Sequence, residues 1–270
     1  MNENYPYLKD LPFLKSLIIQ PIQSIYVRFT SLDWNENPLC EIQGLVTSGS
    51  MNLNGQSSIR RTCNLTIAIP DEVDYDGKTF KVTELGNAFY DNEKIVGLTL
   101  PSSIIDMRKM AFIMCYNLSK LVIADGKDTI FISRDMFNHC PLVSLYIGRN
   151  IEWEVNCGND SPFYRKRNLK TLHIGGYATG IPDNCFSRCT SLSSVEIDDG
   201  VLTIGSNAFA GCTSLKKIVV KAPAPPSIKP DTFASENYTD VKLTVPKASL
   251  QAYKNAEGWK NFRNIGGETI

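Results

Sequence analysis

Phenylalanine recurs at Phe89, Phe112, Phe137, Phe163, Phe186, Phe209 and Phe233, at intervals of 23 to 26 residues, and the same slots follow each one. Three residues on stand Asn92, Cys115, Cys140, Lys166, Cys189, Cys212 and Glu236. Six on, in the better-kept copies, stand Ile95, Leu118, Leu169, Leu192 and Leu215. An apolar-x-apolar pair closes each unit: Leu98/Leu100, Leu121/Ile123, Leu145/Ile147, Leu172/Ile174, Val195/Ile197, Ile218/Val220 and Val241/Leu243. In the third and seventh copies the pair comes one residue early. Self-similarity at a period of this length is the signature of a repeat architecture, and it constrains the fold more than any composition does.

The physics of one unit explains why it must be stacked. An apolar-x-apolar pair is a half-buried strand with period two. One such strand cannot bury its inward face alone, whereas stacked copies form a parallel sheet along one side of a coil. The phenylalanine fills the coil from the opposite wall, and the small residue before it (Ala88, Ala111, Ala208) lets the turn close. The cysteine slot reads as a small buried hydrophobe.

The segments Ile204–Val220 and Ile181–Ile197, with their I-x-x-x-A/C-F-x-x-C-x-x-L-x-x-V/I pattern, resemble leucine-rich repeats of the BspA type, found in Bacteroides and other gut or oral bacteria. The resemblance implies a repeat solenoid over residues 68–265: a leucine-rich-repeat right-handed superhelix with a parallel β-sheet on one face. "IPDEVDYDGKTFKVTELG" (69–86) is similar to the first turn of this family. "LTVPKASLQAYKNAEGWKNFRNI" (243–265) is similar to its closing segment, with Leu250, Tyr253, Trp259 and Phe262 spaced to cover the last coil. The region 124–162 is degenerate, and Asn, Lys and Glu replace cysteine in three copies, so irregular middle coils are expected.

Residues 1–67 carry no repeat. "SIYVRFTSL" (24–32) alternates as a half-buried strand, "DWNENP" marks a turn, and "CEIQGLVTSGSMNL", a hairpin turn at Asn54–Gly55 and "SSIRRTCNLTIAI" complete a small antiparallel β module. Four short strands are marginal alone, so this module is expected to anchor on the first coil or on another protein. The wording of residues 25–67 resembles an N-terminal module of tail and baseplate components of tailed bacteriophages, some of which infect Bacteroides. That resemblance implies an assembly anchor, for which Tyr26, Arg28, Trp34, Arg60 and Arg61 are the candidates.

Composition narrows the function. Lys plus Arg equals Asp plus Glu at 28 each, so there is no global field to draw in nucleic acid. No apolar run is long enough to span a bilayer. Residues 1–21 lack the pattern of a secretory signal, so the chain is expected to fold in a cytoplasm or to have lost a leader. The eight cysteines form no CxxC pair, and neither a metal site nor a cofactor is expected. His139 lies in a turn and His173 between Leu172 and Ile174, facing outward; no G-x-S-x-G elbow or phosphate loop accompanies them. Asp198 and Asp199 read as turn residues. Catalysis is not expected.

What remains is a surface. The outward positions beside the strand pairs make a mixed stripe whose candidate contacts are Thr99, Lys120, Val122, Tyr146, Thr171, His173, Glu196, Lys217 and Lys242, with Tyr146 and His173 adjacent at the middle. The sequence is read as a non-enzymatic interaction protein: a virion tail or baseplate component of a Bacteroides-type phage, made in the host cytoplasm. Residues 1–67 would meet other virion proteins or a second copy, and the solenoid a host surface protein or glycan. The alternative is a bacterial cell-surface or secreted adhesin of the BspA type.

Overall fold

The structure is a computed structural model that describes residues 22–30, 39–47, 65–75, 78–85, 89, 91–92, 95–107, 111–154 and 161–270. Among these, nine strands form one parallel sheet. It runs Leu65–Ala68, Ile95–Leu100, Lys120–Ile123, Ser144–Arg149, Thr171–Tyr177, Ser194–Ile197, Lys217–Val220, Lys242–Pro246 and Asn264–Glu268. Each strand ends one step of a coil, and the next coil places its strand alongside in register, Leu121 beside Leu98 and Leu145, then Leu172, Val195 and Ile218. Both members of each inward pair are buried, from Leu98 and Leu100 through Ile218 and Val220. The molecule is thus a β-solenoid of about seven turns.

Two further walls close the coil. Short parallel strands line one: Lys78–Glu84, Asp106–Met107, Ile130–Ile132 and Ile151–Glu152 pair in succession, then Gly180–Ile181, Thr203–Ile204 and Ser227–Ile228. The repeat's leading isoleucine, at Ile181 and Ile204, is the residue each of these buries. The phenylalanine column forms the other wall. All seven rings are buried and successive rings stack at centroid spacings of 5.3 to 5.8 Å. The column ends on the C-terminal cap, where Phe262 and Trp259 meet Phe233 edge-on. Trp259 Nε1 donates to Pro226 O at 2.7 Å and the Tyr253 hydroxyl to Ala222 O at 2.8 Å, so both large cap side chains bury their polar atoms hydrogen-bonded.

The cysteine slot does more than fill space. Cys115, Cys140, Cys189 and Cys212 each direct Sγ at the carbonyl of the preceding coil's phenylalanine, at 2.8, 3.1, 3.2 and 3.2 Å. Lys166 keeps the same contact, Nζ to Phe137 O at 2.5 Å. At the seventh copy Glu236 is exposed, and its neighbour Asn237 reaches back instead to Cys212 O at 3.2 Å.

Two expectations are corrected. The seventh pair is Leu243/Val245 rather than Val241/Leu243: Ile218 registers with Leu243, because the short helix Asn237–Asp240 adds a residue after Phe233 instead of removing one. The segment "SSIRRTCNLTIAI" is not an antiparallel strand where it is described; Leu65–Ala68 runs parallel to Ile95–Leu100 in the long sheet. The degenerate stretch does carry an irregularity: Ser144–Ile147 pairs in register on both sides, and the register then shifts between Ile147 and Arg149 against Thr171–Tyr177. Near the chain's start Ile22–Thr30 pairs antiparallel with Leu39–Thr47, which in turn runs parallel to Lys78–Glu84. The expected turn at Asn54–Gly55 lies outside the described residues.

Inside the degenerate stretch the sequence hides a staple. Arg149 is fully buried, and its guanidinium donates to Ser102 O (2.6 Å), Pro101 O (3.0 Å) and Ile104 O (2.7 Å), tying together segments 45 to 48 residues apart. Those carbonyls lose their partner if the side chain is made apolar, and an orphaned buried acceptor costs about 1–3 kcal/mol. Arg149→Met is therefore expected to lower unfolding stability by about 3 kcal/mol in a urea titration; a change below about 0.5 kcal/mol would show that the carbonyls find other partners.

Candidate functional site

The outer face of the long sheet carries two ordered rows. Thr99, Val122, Tyr146, His173, Glu196, Val219 and Thr244 lie side by side in the middle row. Lys120, Ser144, Thr171, Ser194, Lys217 and Lys242 make the flanking row. All nine sequence-derived face candidates fall in one row or the other. Lys242 belongs beside Lys217 in the flanking row and Thr244 takes the middle place, a consequence of the extra residue in the seventh unit. Tyr26 and Arg28 lie in the strand Ile22–Thr30, whereas Trp34, Arg60 and Arg61 lie outside the described residues.

Parallel register turns the centre of the middle row into one polar network. The Tyr146 and His173 rings meet edge-to-face, centroids 4.9 Å apart and planes at 85°. The Tyr146 hydroxyl donates to Asp125 Oδ1 at 2.6 Å. Burial, and then the Asp125 carboxylate, push the phenol well above its ordinary value, so it remains a donor. His173 Nε2 lies 3.0 Å from Asp198 Oδ1 and 4.0 Å from Glu196 Oε1. Lys221 Nζ closes the cluster, 2.6 Å from Glu196 Oε1 and 2.9 Å from Asp198 Oδ1.

Asp125, Asp198 and Lys221 escaped the sequence reading. Asp198 is not simply a turn residue: it stands two positions after Glu196, so strand alternation returns its carboxylate to the outer face. Lys221 stands two after Val219 for the same reason. Gly175, two after His173, occupies the place where any larger residue would collide with the Tyr146 hydroxyl. The glycine is thus what lets the tyrosine reach across to Asp125.

His173, Glu196 and Asp198 present ligand atoms within 4.8 Å of one another, a spacing that suits a cation. Lys221 already stands there: its ammonium contacts both carboxylates, so a metal would first have to displace a bound positive charge. His173 and Asp198 also form the base-and-carboxylate half of a nucleophile-activating arrangement. Among the described residues no serine, threonine or cysteine side chain hydrogen-bonds the ring, so the half stays a half. What the geometry offers is a rigid patch in which three carboxylates outnumber one ammonium, backed by an aromatic edge.

The charges follow the contacts. Partial burial pushes Asp198 up, but hydrogen bonds from Lys221 and His173 outweigh it and hold the carboxyl below its usual range. Lys221 is raised, chiefly by its bond to Glu196 and then by that to Asp198. A carboxylate held low in the fold contributes stability above its unfolded pKa of about 3.9 and loses it as pH falls through the lower folded value. Asp198→Asn is therefore expected to flatten the acid limb of a stability-against-pH curve: the two proteins should differ at pH 7 and converge once the pH has fallen below the lowered Asp198 value. Parallel curves would remove the ion pair from the account.

Solved leucine-rich repeat structures match this chain along most of its length at low identity. A leucine rich repeat protein from T. pallidum shares 18% identity over 90% of this chain and 79% of its own, with a TM-score of 0.38. A leucine-rich repeat protein from Bacteroides ovatus shares 17% over 94% and 99%, with a TM-score of 0.28. A leucine rich cell surface protein from Faecalibacterium prausnitzii shares 14% over 91% and 95%, with a TM-score of 0.24. Among curated proteins no sequence matches the chain. The repeat itself is decisive: residues 77–157 and 158–262 match the BspA type leucine rich repeat region in six copies, and the chain belongs to that family.

Proposed function

We propose that this protein is a non-enzymatic recognition module of the bacterial cell surface, binding a protein partner through the outer face of its long sheet. The observation that carries the reading is the Asp125–Tyr146–His173–Asp198–Glu196–Lys221 network. It is a half-buried, pre-ordered patch with an aromatic and a histidine at its centre, flanked by the exposed side chains of Lys120, Thr171, Lys217 and Lys242. Contact residues that are already fixed lose little side-chain entropy on binding, and tyrosine is prominent among residues that dominate interface energies. The acidic excess at the centre suits a partner presenting lysine or arginine. Membership of the BspA-type family supports the surface placement; among the described residues no helix is long and apolar enough to cross a membrane.

The tail-component reading rests on the wording of residues 25–67, which the family match does not reach. Its role in this proposal is as the rival that a binding experiment separates.

The test is binding of the fluorescently labelled full chain to cultured mucosal epithelial cells, before and after trypsin treatment of the cells. Tyr146→Ala combined with Glu196→Lys, which removes the ring and reverses one of the carboxylates, is expected to weaken binding at least about tenfold, whereas Lys254→Glu on the exposed cap should leave it unchanged. Trypsin should abolish the signal. Undiminished binding by the sheet variant overturns the site. Self-association into high-mass assemblies, with no cell binding, moves the protein to the tail reading.

A further inference from the structure

Lys166 breaks the ladder of thiols at one rung and leaves a buried charge behind. Its Nζ makes the coil-to-coil bond to Phe137 O that Cys140 and Cys189 make to Phe112 and Phe163. A thiol has one proton to give and spends it there; an ammonium has three. Lys166 is 8% exposed, and among the described residues no carboxylate lies within ion-pair distance of it. Asp135 is the carboxylate whose field reaches it, and that group is engaged by Asn138 Nδ2 at 2.9 Å and by Arg134 Nε at 3.8 Å. Burial therefore dominates and pushes the lysine below its ordinary value.

A cleft of about 230 Å³ opens beside it, between two successive turns of the phenylalanine wall. Asn138, His139, Arg165, Lys166, Arg167 and Asn168 line it, and no carboxylate does. Arg165 is set on a left-handed backbone (φ 55°), with its guanidinium 5.2 Å from the centre of the Tyr164 ring. Arg165 and Arg167 form no ion pair among the described residues. The buried lysine, two exposed arginines, a histidine and two amides thus line a space that holds several waters' volume. The buried Lys166 ammonium among them lacks a carboxylate partner among the described residues, and a buried charge of this kind is costly unless an anion shares it.

We propose that this cleft is a binding site for a tetrahedral oxyanion group, sulfate or phosphate, carried on a larger ligand. Arg165 and Arg167 offer planar forks that match two oxygens each, Lys166 supplies charge at the buried end, and the asparagine amides donate to what remains. The site lies on the turn wall, away from the sheet face, and does not depend on the recognition patch there.

Isothermal titration of the full chain with glucose 6-sulfate and glucose 6-phosphate, at ionic strength matched with sodium chloride, tests it. Saturable binding of one molecule per chain is expected, and the tighter sugar identifies a sulfated or a phosphorylated source. Arg165→Ala with Arg167→Ala, both at the exposed rim, should weaken binding at least about tenfold. Lys166→Cys, which restores the ladder's usual thiol, should do the same while leaving the thermal unfolding midpoint at or above wild type. Should that variant fail to fold, the rim pair decides alone. Heats no larger than dilution with both sugars, or affinities untouched by either change, would overturn the site.

Discussion

Each coil of this solenoid offers the next a flat aromatic ring and a carbonyl with a free lone pair, and the structure depends on both being taken up. The Phe112 carbonyl accepts the Cys115 amide of its own turn at 3.3 Å and the Cys140 thiol of the following coil at 3.1 Å. Phe186 repeats this with the Cys189 amide and the Cys212 thiol. One oxygen thus closes a turn and ties it to its neighbour, at a place from which water is excluded. A thiol suits the slot because it is small, apolar enough to bury, and still a donor. Backbone ladders on the sheet and on the short-strand wall set the register of each coil over the next, and on the phenylalanine wall the stacked rings, the Phe186 N–H to Ala208 O bond and the thiol add local ties.

Function follows from that fixed offset. Tyr146, His173 and Glu196 come from three different coils, and Asp125 and Lys221 from two flanking ones, so no one repeat contains the recognition patch. A slip of one residue in any of these strands would send His173 inward and Leu172 outward. Isolated surface ion pairs contribute little, about 0–1 kcal/mol each. Here the value of the pairs is positional: they hold a tyrosine and a histidine in one arrangement that the parallel register has already selected. The degenerate stretch supplies Asp125 and Tyr146 to the patch and the Arg149 staple, while His173, Glu196, Asp198 and Lys221 come from well-kept copies.

Much of the fold was legible because the signal was repeated. Seven phenylalanines, their following slots and the alternating pairs announced stacked coils, a parallel sheet and the face on which Tyr146 and His173 would meet. The third wall was not announced, since after Lys78–Glu84 its strands are two or three residues long and its marker, the isoleucine at Ile181 or Ile204, looks like any apolar residue. Left-handed backbone two residues after the phenylalanine, at Asp91, Met114, Arg165, Arg188 and Gly211, was likewise invisible, because just one of the five is glycine. Asp198 and Lys221 were missed for a local reason: a residue just past a strand reads as a turn, although alternation still carries its side chain onto the sheet. Arg149 and Lys166 were missed as structural parts because burial of a cation is decided by long-range packing that no window of sequence contains.

Coupling through nearest neighbours is the claim on which the rest stands, and hydrogen exchange read by mass spectrometry tests it most directly. Phe186→Ala removes one ring from the middle of the column. If coils are held by adjacent rings and carbonyls, protection should fall in the strands Thr171–Tyr177, Ser194–Ile197 and Lys217–Val220, while Ile95–Leu100 and the cap around Trp259 keep theirs. A uniform loss of protection from Ile95 to Glu268 would contradict this account, and would mean that the solenoid holds together as one indivisible unit.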